Sequence, residues 1–274
     1  MSQKTKAKYI TALSERSIAR HQLPASGCWI NIFDPIIGEL VGACGYDYAL
    51  IDMEHSPSSV DAALPMIRAV QLGGAKALVR VPDKQSEWIS RLMDMGADGI
   101  MVPMVNTREE AELLAKMTVY APGGNRGMAA GIVRASGYGV NTEHYLETYR
   151  QNFLLMLQIE TKEAVDAIGD IAAVEGVDCL FVGPFDLAGS LGNLGEPDHK
   201  DTLAAIRKIS KAAQAVGIPL STLTTPARKA RKLFSAGFDL VFTGSDLQMI
   251  REAMQADAAN NKKLLQARTN LGGE

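Results

Sequence analysis

The sequence has little of what marks several large classes of protein. It carries 28 Lys and Arg against 31 Asp and Glu, giving a formal net charge of -3, and both signs are mixed along the chain. Without a basic excess, neither nucleic acid nor an anionic membrane surface is an expected partner. No run of about 18 apolar residues occurs, and the amino-terminal segment lacks an uninterrupted apolar core. We therefore expect a cytoplasmic protein whose partners are small molecules.

Cysteine is also scarce. The three cysteines, Cys28, Cys44 and Cys179, are odd in number and widely separated, and no pair has metal-ligand spacing. Their apolar surroundings predict reduced thiols that are buried as small hydrophobic groups. A metal site built on cysteine is not expected.

Nucleotide-binding motifs are missing as well. No GxGxxG follows the first predicted strand, and the Gly-rich segment APGGNRG lacks the Lys-Ser or Lys-Thr of a phosphate-binding loop. What the chain has instead is a regular alternation of short apolar runs with longer amphipathic runs that have Gly near their ends. The short runs predict eight strands, at 26–32, 48–53, 76–81, 99–105, 154–160, 178–184, 218–224 and 239–245.

Eight βα units in 274 residues predict a (β/α)8 TIM barrel, because a doubly wound sheet usually has fewer strands. No linker or composition break divides the chain, so we expect a single domain over 1–274, with a core at about 25–250 and a carboxyl-terminal helix at 245–267. The long irregular segment 120–140 is expected to be functional, as loops of that length in compact domains often are.

Unusual polar residues gather at one end of the predicted strands. In a barrel, the carboxyl ends of the strands form the substrate site. Residues at or just beyond those ends are Asp52, Glu54, His55, Arg80, Gln158, Glu160, Gly183, Pro184 and Asp186. Asp98, Asp178 and Asp239 lie at the opposite ends, between a helix and a strand, and a structural role is predicted for them.

Glu160 and Asp186 form the strongest candidate pair. Gln158 and Glu160 are two residues apart and share the inward face of the fifth strand, which Asp186 can approach from the end of the next. Two adjacent carboxylates repel and raise one pKa unless a cation lies between them. A hard divalent ion such as Mg²⁺ or Mn²⁺ fits this donor set. The alternative is that both acids only cap the helices that follow.

Arg80 and His55 are the candidate catalytic residues. Arg80 ends an apolar strand, where it either forms a salt bridge with Asp52 or Glu54 or stabilises a developing oxyanion. His55 could transfer a proton near neutral pH, with Asp52 or Asp94 orienting its ring. Alternation turns His55 inward only if the strand ends before it. The other histidines, His21, His144 and His199, are predicted to be surface residues.

Two further features bear on the chemistry. Arg126, in the segment APGGNRG, lies either in a flap that contacts an anion or in a plain surface loop. Lys76 opens a strand and Lys162 follows one, so neither lies at an inner carboxyl end where a Schiff base would form. Imine chemistry is therefore disfavoured.

Several motifs of the sequence, in their order and spacing along the chain, resemble those of the HpcH/HpaI family. These are the metal-dependent class II pyruvate aldolases, which include 4-hydroxy-2-oxoheptanedioate and 2-dehydro-3-deoxyglucarate aldolases. The resemblance covers roughly residues 25–250. The motifs that carry it are LIDMEHSPSS, VRVP, LMDMGADGIMVPMV, APGGNRG, LQIET and FVGPFDLAGSLG.

The resemblance implies a modified TIM barrel that assembles as a hexamer, a trimer of dimers with an exchanged last helix. It implies that Glu160 and Asp186 hold Mg²⁺, Mn²⁺ or Co²⁺, and that Gln158 contacts the 2-oxo acid. Arg80 would stabilise the enolate, and His55 with an acidic neighbour would transfer the proton. Asp94 would take part in the active site of an adjacent subunit. Phe185 departs from the Ala common at that position, although its backbone N–H can still bind carboxylate. The bulky ring of Phe185 would narrow or redirect the aldehyde pocket, and so would affect which aldehyde is accepted.

The expected reaction is reversible cleavage of a 4-hydroxy-2-oxo acid into pyruvate, or hydroxypyruvate, and an aldehyde. A carbon-carbon lyase acting on a CoA thioester, of the citrate lyase β-subunit or malyl-CoA lyase type, is the nearest alternative. A non-catalytic protein that binds 2-oxo acids is the alternative from another class.

Overall fold

The structure, a computed structural model, describes residues 23–271, and His21 lies outside the described residues. Its eight parallel strands close into a barrel in chain order. Each strand overlaps a predicted run, so the predicted barrel is confirmed. The strands are β1 (Ala25–Ile30), β2 (Tyr48–Asp52), β3 (Lys76–Arg80), β4 (Gly99–Val102), β5 (Leu154–Ile159), β6 (Cys179–Val182), β7 (Leu220–Leu223) and β8 (Leu240–Ser245).

Helices surround the barrel and connect its strands. The predicted helical run that follows β5 is divided in two, with Ala167 ending one short helix and beginning the next. Gly169, a poor helix former, lies two residues after Ala167, inside the second of these helices. The helices are α1 (Pro35–Ala43), α2 (Val60–Leu72), α3 (Ser86–Asp94), α4 (Arg108–Met117), α5 (Thr142–Thr148), α6 (Lys162–Asp166), α7 (Ile168–Ala172), α8 (Pro184–Ser190), α9 (Lys200–Val216), α10 (Ala230–Ser235) and α11 (Asp246–Leu271).

Two apolar layers hold the barrel together. One fills its interior and includes Leu50, Leu78, Met156 and the rings of Phe181 and Phe242, which meet edge to face. The other packs the outer faces of the strands against the helices. Strands that are buried on both faces read as continuous apolar runs. This explains why the sequence indicates strands there without a polar alternation.

Four aspartates pin the amino-terminal ends of alternate strands. Each precedes an even-numbered strand, and its Oδ2 accepts a hydrogen bond from a backbone N–H of the odd-numbered strand before it. The N–O distances are 2.8 Å for Asp47 with Ser26, 2.8 Å for Asp98 with Ala77, 2.8 Å for Asp178 with Leu155 and 2.9 Å for Asp239 with Leu220. The structural role predicted for three of them is confirmed, and Asp47 is a fourth member.

The predicted burial of the cysteines and the predicted exposure of the histidines are each confirmed in part. Cys28 and Cys179 are buried as expected, and burial raises the pKa of the Cys28 thiol to about 12. Cys44 is exposed, because it follows the last turn of α1 instead of packing beneath it. His144 is exposed, whereas His199 is half-buried and caps α9 by accepting the N–H of Asp201.

The last helix, α11, projects from the barrel. Asp246 anchors its first turn, because the carboxylate accepts the N–H groups of Asn31 and Ile32 at 3.0 and 2.8 Å. Every residue from 251 to 266 is exposed. None of the helices over 23–271 is both long enough and apolar enough to cross a membrane.

Candidate active site

Polar residues replace the apolar interior at the carboxyl ends of β2, β3 and β5. Side chains two residues apart on a strand point the same way. Asp52 therefore continues the inward row of Leu50, and Arg80 continues that of Leu78. Gln158 and then Glu160 continue the row of Met156. All four polar side chains are buried.

Arg80 is held by two carboxylates. Its Nε and Nη2 donate to Oδ1 and Oδ2 of Asp52 at 2.9 and 2.8 Å, and its Nη1 lies 2.7 Å from Oε2 of Glu54. The Trp29 ring packs 4.7 Å from the guanidinium carbon. The salt bridge considered as one alternative is therefore present with both acids. Among the described residues these contacts use three of the five N–H donors, which leaves donors for a bound oxygen.

Asp52 positions Arg80 and has further hydrogen-bond partners of its own. Its Oδ2 also accepts from Trp29 Nε1 at 3.1 Å and Asn31 Nδ2 at 3.0 Å. Burial opposes its ionisation, but the hydrogen bonds and charge of Arg80 keep the pKa of Asp52 below its ordinary value. Asp52 therefore fixes the guanidinium in place as a permanent anion.

His55 lies at the mouth of the barrel. Because β2 ends at Asp52, the chain bends before His55, as an inward approach requires. Its side chain is 66% exposed, and Nε2 lies 3.9 Å from Oε1 of Glu54. Asp52 contacts only the backbone N–H of His55, at 3.4 Å, and Asp94 pairs with Arg126. Within residues 23–271, the acid beside the ring is thus Glu54, instead of the predicted Asp52 or Asp94.

Glu160 is the most perturbed acid of the site. Its Oε1 accepts the backbone N–H of Met104 at 2.8 Å, and its Oε2 contacts the Gln158 amide. Burial raises the pKa of Glu160 to about 7, the charges of Asp186 and Glu54 add to the rise, and the Met104 N–H opposes it. The negative charges of Asp186 and Glu54 therefore both disfavour the ionised form of Glu160.

Residues that follow β6 complete this side of the site. Gly183 must lack a side chain, because a Cβ there would lie 2.8 Å from Oε2 of Glu160. Pro184 begins α8, and Asp186 is exposed in its first turn. Phe185 is 42% exposed at the mouth.

The donor set fits a divalent cation. Oxygen ligands from Glu160 and Asp186 suit Mg²⁺ or Mn²⁺, and a cation would offset both the burial and the neighbouring negative charge that raise the pKa of Glu160. Gln158 Oε1 is buried without a hydrogen-bond partner among the described residues. No group of three or more His, Cys, Asp or Glu side chains in 23–271 is placed to hold a metal. A cation held by Glu160 and Asp186 would take its remaining ligands from substrate or water oxygens.

Arg126 is not an exposed anion contact. Its side chain is fully buried, and the guanidinium carbon lies 4.5 Å from the ring centre of Tyr120, with Tyr145 and Tyr149 nearby. Its Nη2 donates to Oδ1 of Asp94 at 2.7 Å. The structure corrects both predictions for this residue, since Arg126 fixes Asp94 from inside an aromatic cage.

Three site residues were missed from the sequence. Trp29 and Asn31 contact Asp52 from β1 and the turn beyond it, and the two-residue alternation of that strand could have flagged them. Nothing in the sequence indicated Met104, because the group that contacts Glu160 is its backbone N–H. Its φ of 56° lies in the left-handed region, which costs a non-glycine residue about 1–3 kcal/mol.

A cavity of about 210 Å³ opens beside Trp29 on this face. Its walls combine apolar and polar groups from Trp29, Asn31, Leu223, Thr224, Phe242, Gly244, Ser245 and Gln248. A larger cavity of about 560 Å³ is lined by Asp98 and Phe153, which precede β4 and β5, and so lies toward the opposite end of the barrel. The smaller cavity is the one next to the charged residues.

Comparison with known proteins gives consistent results. The family described as HpcH/HpaI aldolase/citrate lyase matches residues 25–253. A 5-keto-4-deoxy-D-glucarate aldolase of Shigella boydii is 38% identical over 237 residues, which cover 86% of this chain and 91% of that protein.

Two solved structures are also similar. A HpcH/HpaI aldolase/citrate lyase family protein from Burkholderia cenocepacia aligns with a TM-score of 0.82 at 31% identity, over 87% of this chain and 95% of that one. The citrate synthase SbnG aligns with a TM-score of 0.80 at 28% identity, over 88% and 94%.

Proposed function

The chain belongs to the HpcH/HpaI aldolase/citrate lyase family, and on that premise we propose that it reversibly cleaves 4-hydroxy-2-oxo acids into pyruvate, or hydroxypyruvate, and an aldehyde. It is an enzyme of the lyase type, a metal-dependent aldolase. The observation that carries the proposal is the buried Glu160, next to Gln158 and the charge of Asp186. The 38% identity to a named aldolase favours this reaction over a CoA-thioester lyase and over a non-catalytic binding protein.

Binding places the substrate between two sets of charges. Glu160 and Asp186 would hold the divalent cation, Mg²⁺, Mn²⁺ or Co²⁺. Bound there, the cation supplies Lewis-acid polarisation of the carboxylate and 2-oxo oxygens. Gln158 would contact the 2-oxo acid, and the backbone N–H of Phe185 would receive its carboxylate. Gly183 and Pro184 shape this side, since Gly183 leaves room for Glu160.

Bond cleavage requires one proton acceptor and one oxyanion partner. His55 accepts the proton of the 4-hydroxyl as the C3–C4 bond breaks, and the electron pair moves into the enolate. Arg80, held rigid by Asp52, donates hydrogen bonds to the enolate oxygen and so lowers the barrier. Returning the proton to C3 completes pyruvate. We also propose that Asp94, fixed by Arg126, serves proton transfer in an adjacent subunit.

We propose a hydroxylated, acid-bearing aldehyde as the acceptor. The relative of Shigella boydii is named for a sugar-acid substrate. The 210 Å³ cavity beside Trp29 offers Asn31, Thr224, Ser245 and Gln248, whose amides and hydroxyls can bond to such a chain. Phe185 lies exposed at the mouth and narrows the approach of bulkier aldehydes.

Metal removal tests the reaction. We expect pyruvate release from 5-keto-4-deoxy-D-glucarate, lost after dialysis against a chelator and restored by Mg²⁺, Mn²⁺ or Co²⁺. Coupled oxidation of NADH by lactate dehydrogenase measures the rate. Deuterium uptake into the pyruvate methyl group, in D₂O, measures enolate formation alone. Activity insensitive to the chelator, or no uptake in the presence of metal, would count against the proposal.

For the oligomer we propose a hexamer built from dimers that exchange α11. Support comes from the exposure of apolar Met254 and Leu264, at 67% and 61%, on a helix that leaves the barrel. Light scattering after gel filtration should give a mass near six chains. Met254→Glu with Leu264→Glu should reduce it, whereas Asn260→Glu with Asn261→Glu, on the same exposed helix, should not. A monomeric wild type contradicts the proposal.

A further inference from the structure

Lys84 contacts the site although no step above uses it. It lies in the loop after β3, where Nζ donates to the carbonyl oxygen of Met104 at 3.1 Å and pairs with Glu110 of α4. The second carboxylate oxygen of Glu110 accepts the backbone N–H of Asn106 at 2.8 Å. Lys84 and Glu110 thus hydrogen-bond to the loop after β4 on both sides of Val105, at Met104 and at Asn106.

These contacts fix the backbone of Met104. Its N–H points to Oε1 of Glu160 at 2.8 Å, while its carbonyl points to Lys84. In this arrangement Met104 has a φ of 56°, a conformation that non-glycine residues seldom adopt and that persists only where neighbours over-determine it. The contacts of Lys84 and Glu110 supply that determination.

A second contact ties the same loop to the strand that carries Glu160. Thr161 Oγ1 donates to Oδ1 of Asn106 at 2.6 Å, and Val105 donates its N–H to the Gln158 carbonyl at 3.3 Å. With the Met104 N–H bond to Glu160, three hydrogen bonds therefore fix the loop against the end of β5 and the two residues that follow it. Movement at Lys84 would be transmitted to the carboxylate of Glu160.

We propose that Lys84, with Glu110, is a positioning residue for the cation site: it holds Met104 in the left-handed conformation, so that the Met104 N–H fixes the Glu160 carboxylate for metal coordination. The inference rests on the proposed role of Glu160. Groups that orient a metal ligand in this way typically change metal affinity by about 10–100-fold when they are removed. Lys84 itself touches neither substrate nor cation.

The test is Mn²⁺ binding to the chelator-treated full chain, measured by electron paramagnetic resonance of free Mn²⁺. Lys84→Met keeps the length of the side chain but removes its charge and donors. We expect its dissociation constant for Mn²⁺ to rise by about 10–100-fold. Lys84→Arg, which retains a cation and donors, should recover most of the affinity. Arg108→Met is the matched control, because Arg108 also pairs with an acid of α4, Glu112 at 2.7 Å, but on its exposed side.

Glu160→Gln separates the two proposals. Loss of Mn²⁺ binding in Glu160→Gln together with weakened binding in Lys84→Met supports both. Loss in Glu160→Gln with unchanged affinity in Lys84→Met overturns the positioning role alone. Retained binding in Glu160→Gln overturns the ligand assignment itself.

Folding is controlled in the same series. Thermal melting of each metal-free variant shows whether it is folded at the temperature of the binding measurement. Should Lys84→Met not fold, Glu110→Gln removes the charge that anchors Lys84, and it is expected to weaken Mn²⁺ binding in the same direction. Wild-type affinity in that folded variant would overturn the inference.

Discussion

Replacing Glu160 by Gln is expected to abolish metal-dependent pyruvate formation and to stabilise the metal-free protein at the same time. The amide oxygen can still accept the Met104 N–H, so the local packing survives. A neutral amide is a poor ligand for a hard cation, and losing the cation removes several kcal/mol of charge stabilisation from the transition state. We expect kcat to fall by at least about 10³-fold.

The stability change has the opposite sign because Glu160 is unfavourable without a cation. Its pKa rises on folding from 4.5 to about 7, so the fold favours the protonated form. The cost of the ionised form is small below pH 4.5, grows as the pH rises from 4.5 to about 7, and is fully present above that, at about 3 kcal/mol. The Gln variant should thus melt several degrees higher than metal-free wild type at pH 8, and the difference should shrink to a small part of that at pH 5.

Glu163→Gln is the matched control. Glu163 lies three residues along the chain, exposed in the first turn of α6. This control variant should keep both the activity and the melting temperature of the wild type. Calorimetry with and without Mn²⁺, next to the coupled assay, measures both effects. Full metal-dependent activity in Glu160→Gln would remove Glu160 from the ligand set.

The rim of polar residues could be predicted because it depends on local spacing. Strand alternation places Asp52 above Leu50 and Glu160 above Gln158, and closing the barrel in chain order brings β2, β3, β5 and β6 to one end. Neither step needs knowledge of distant contacts. The same reasoning found the structural aspartates, whose partners lie on the preceding strand.

Other features could not be predicted, because contacts distant in sequence decide them. Arg126 reads as an exposed loop cation, but Tyr145 of α5 and Tyr149 just beyond that helix pack over it, and Asp94 neutralises it. The Met104 N–H is invisible in a sequence of side chains. The acid that faces His55 is Glu54, because Arg80 binds both carboxylate oxygens of Asp52 but only Oε2 of Glu54, which leaves Oε1 beside the ring.

Replacing Arg80 by Met is expected to destabilise the fold and to remove most of the activity. Asp52 is fully buried and Glu54 largely so, and without the guanidinium both carboxylates would lack their cation. Breaking a buried ion pair by removing one partner costs about 3–5 kcal/mol. Loss of the donor to the enolate oxygen should lower kcat by about 10²–10³-fold. Arg80→Lys should rescue little, since one ammonium cannot bond to two acids in the planar geometry of Arg80.

Arg150→Met separates the catalytic loss from the loss of stability. Arg150 pairs with Asp178 at 2.8 Å, both side chains are buried, and the pair lies at the amino-terminal end of β6, away from the site. Urea unfolding should show a comparable destabilisation in the two variants. At a temperature where both are folded, kcat should remain near wild type in Arg150→Met and collapse only in Arg80→Met. Equal losses of kcat in both variants would mean that Arg80 acts through stability alone, and that the enolate oxygen has another partner.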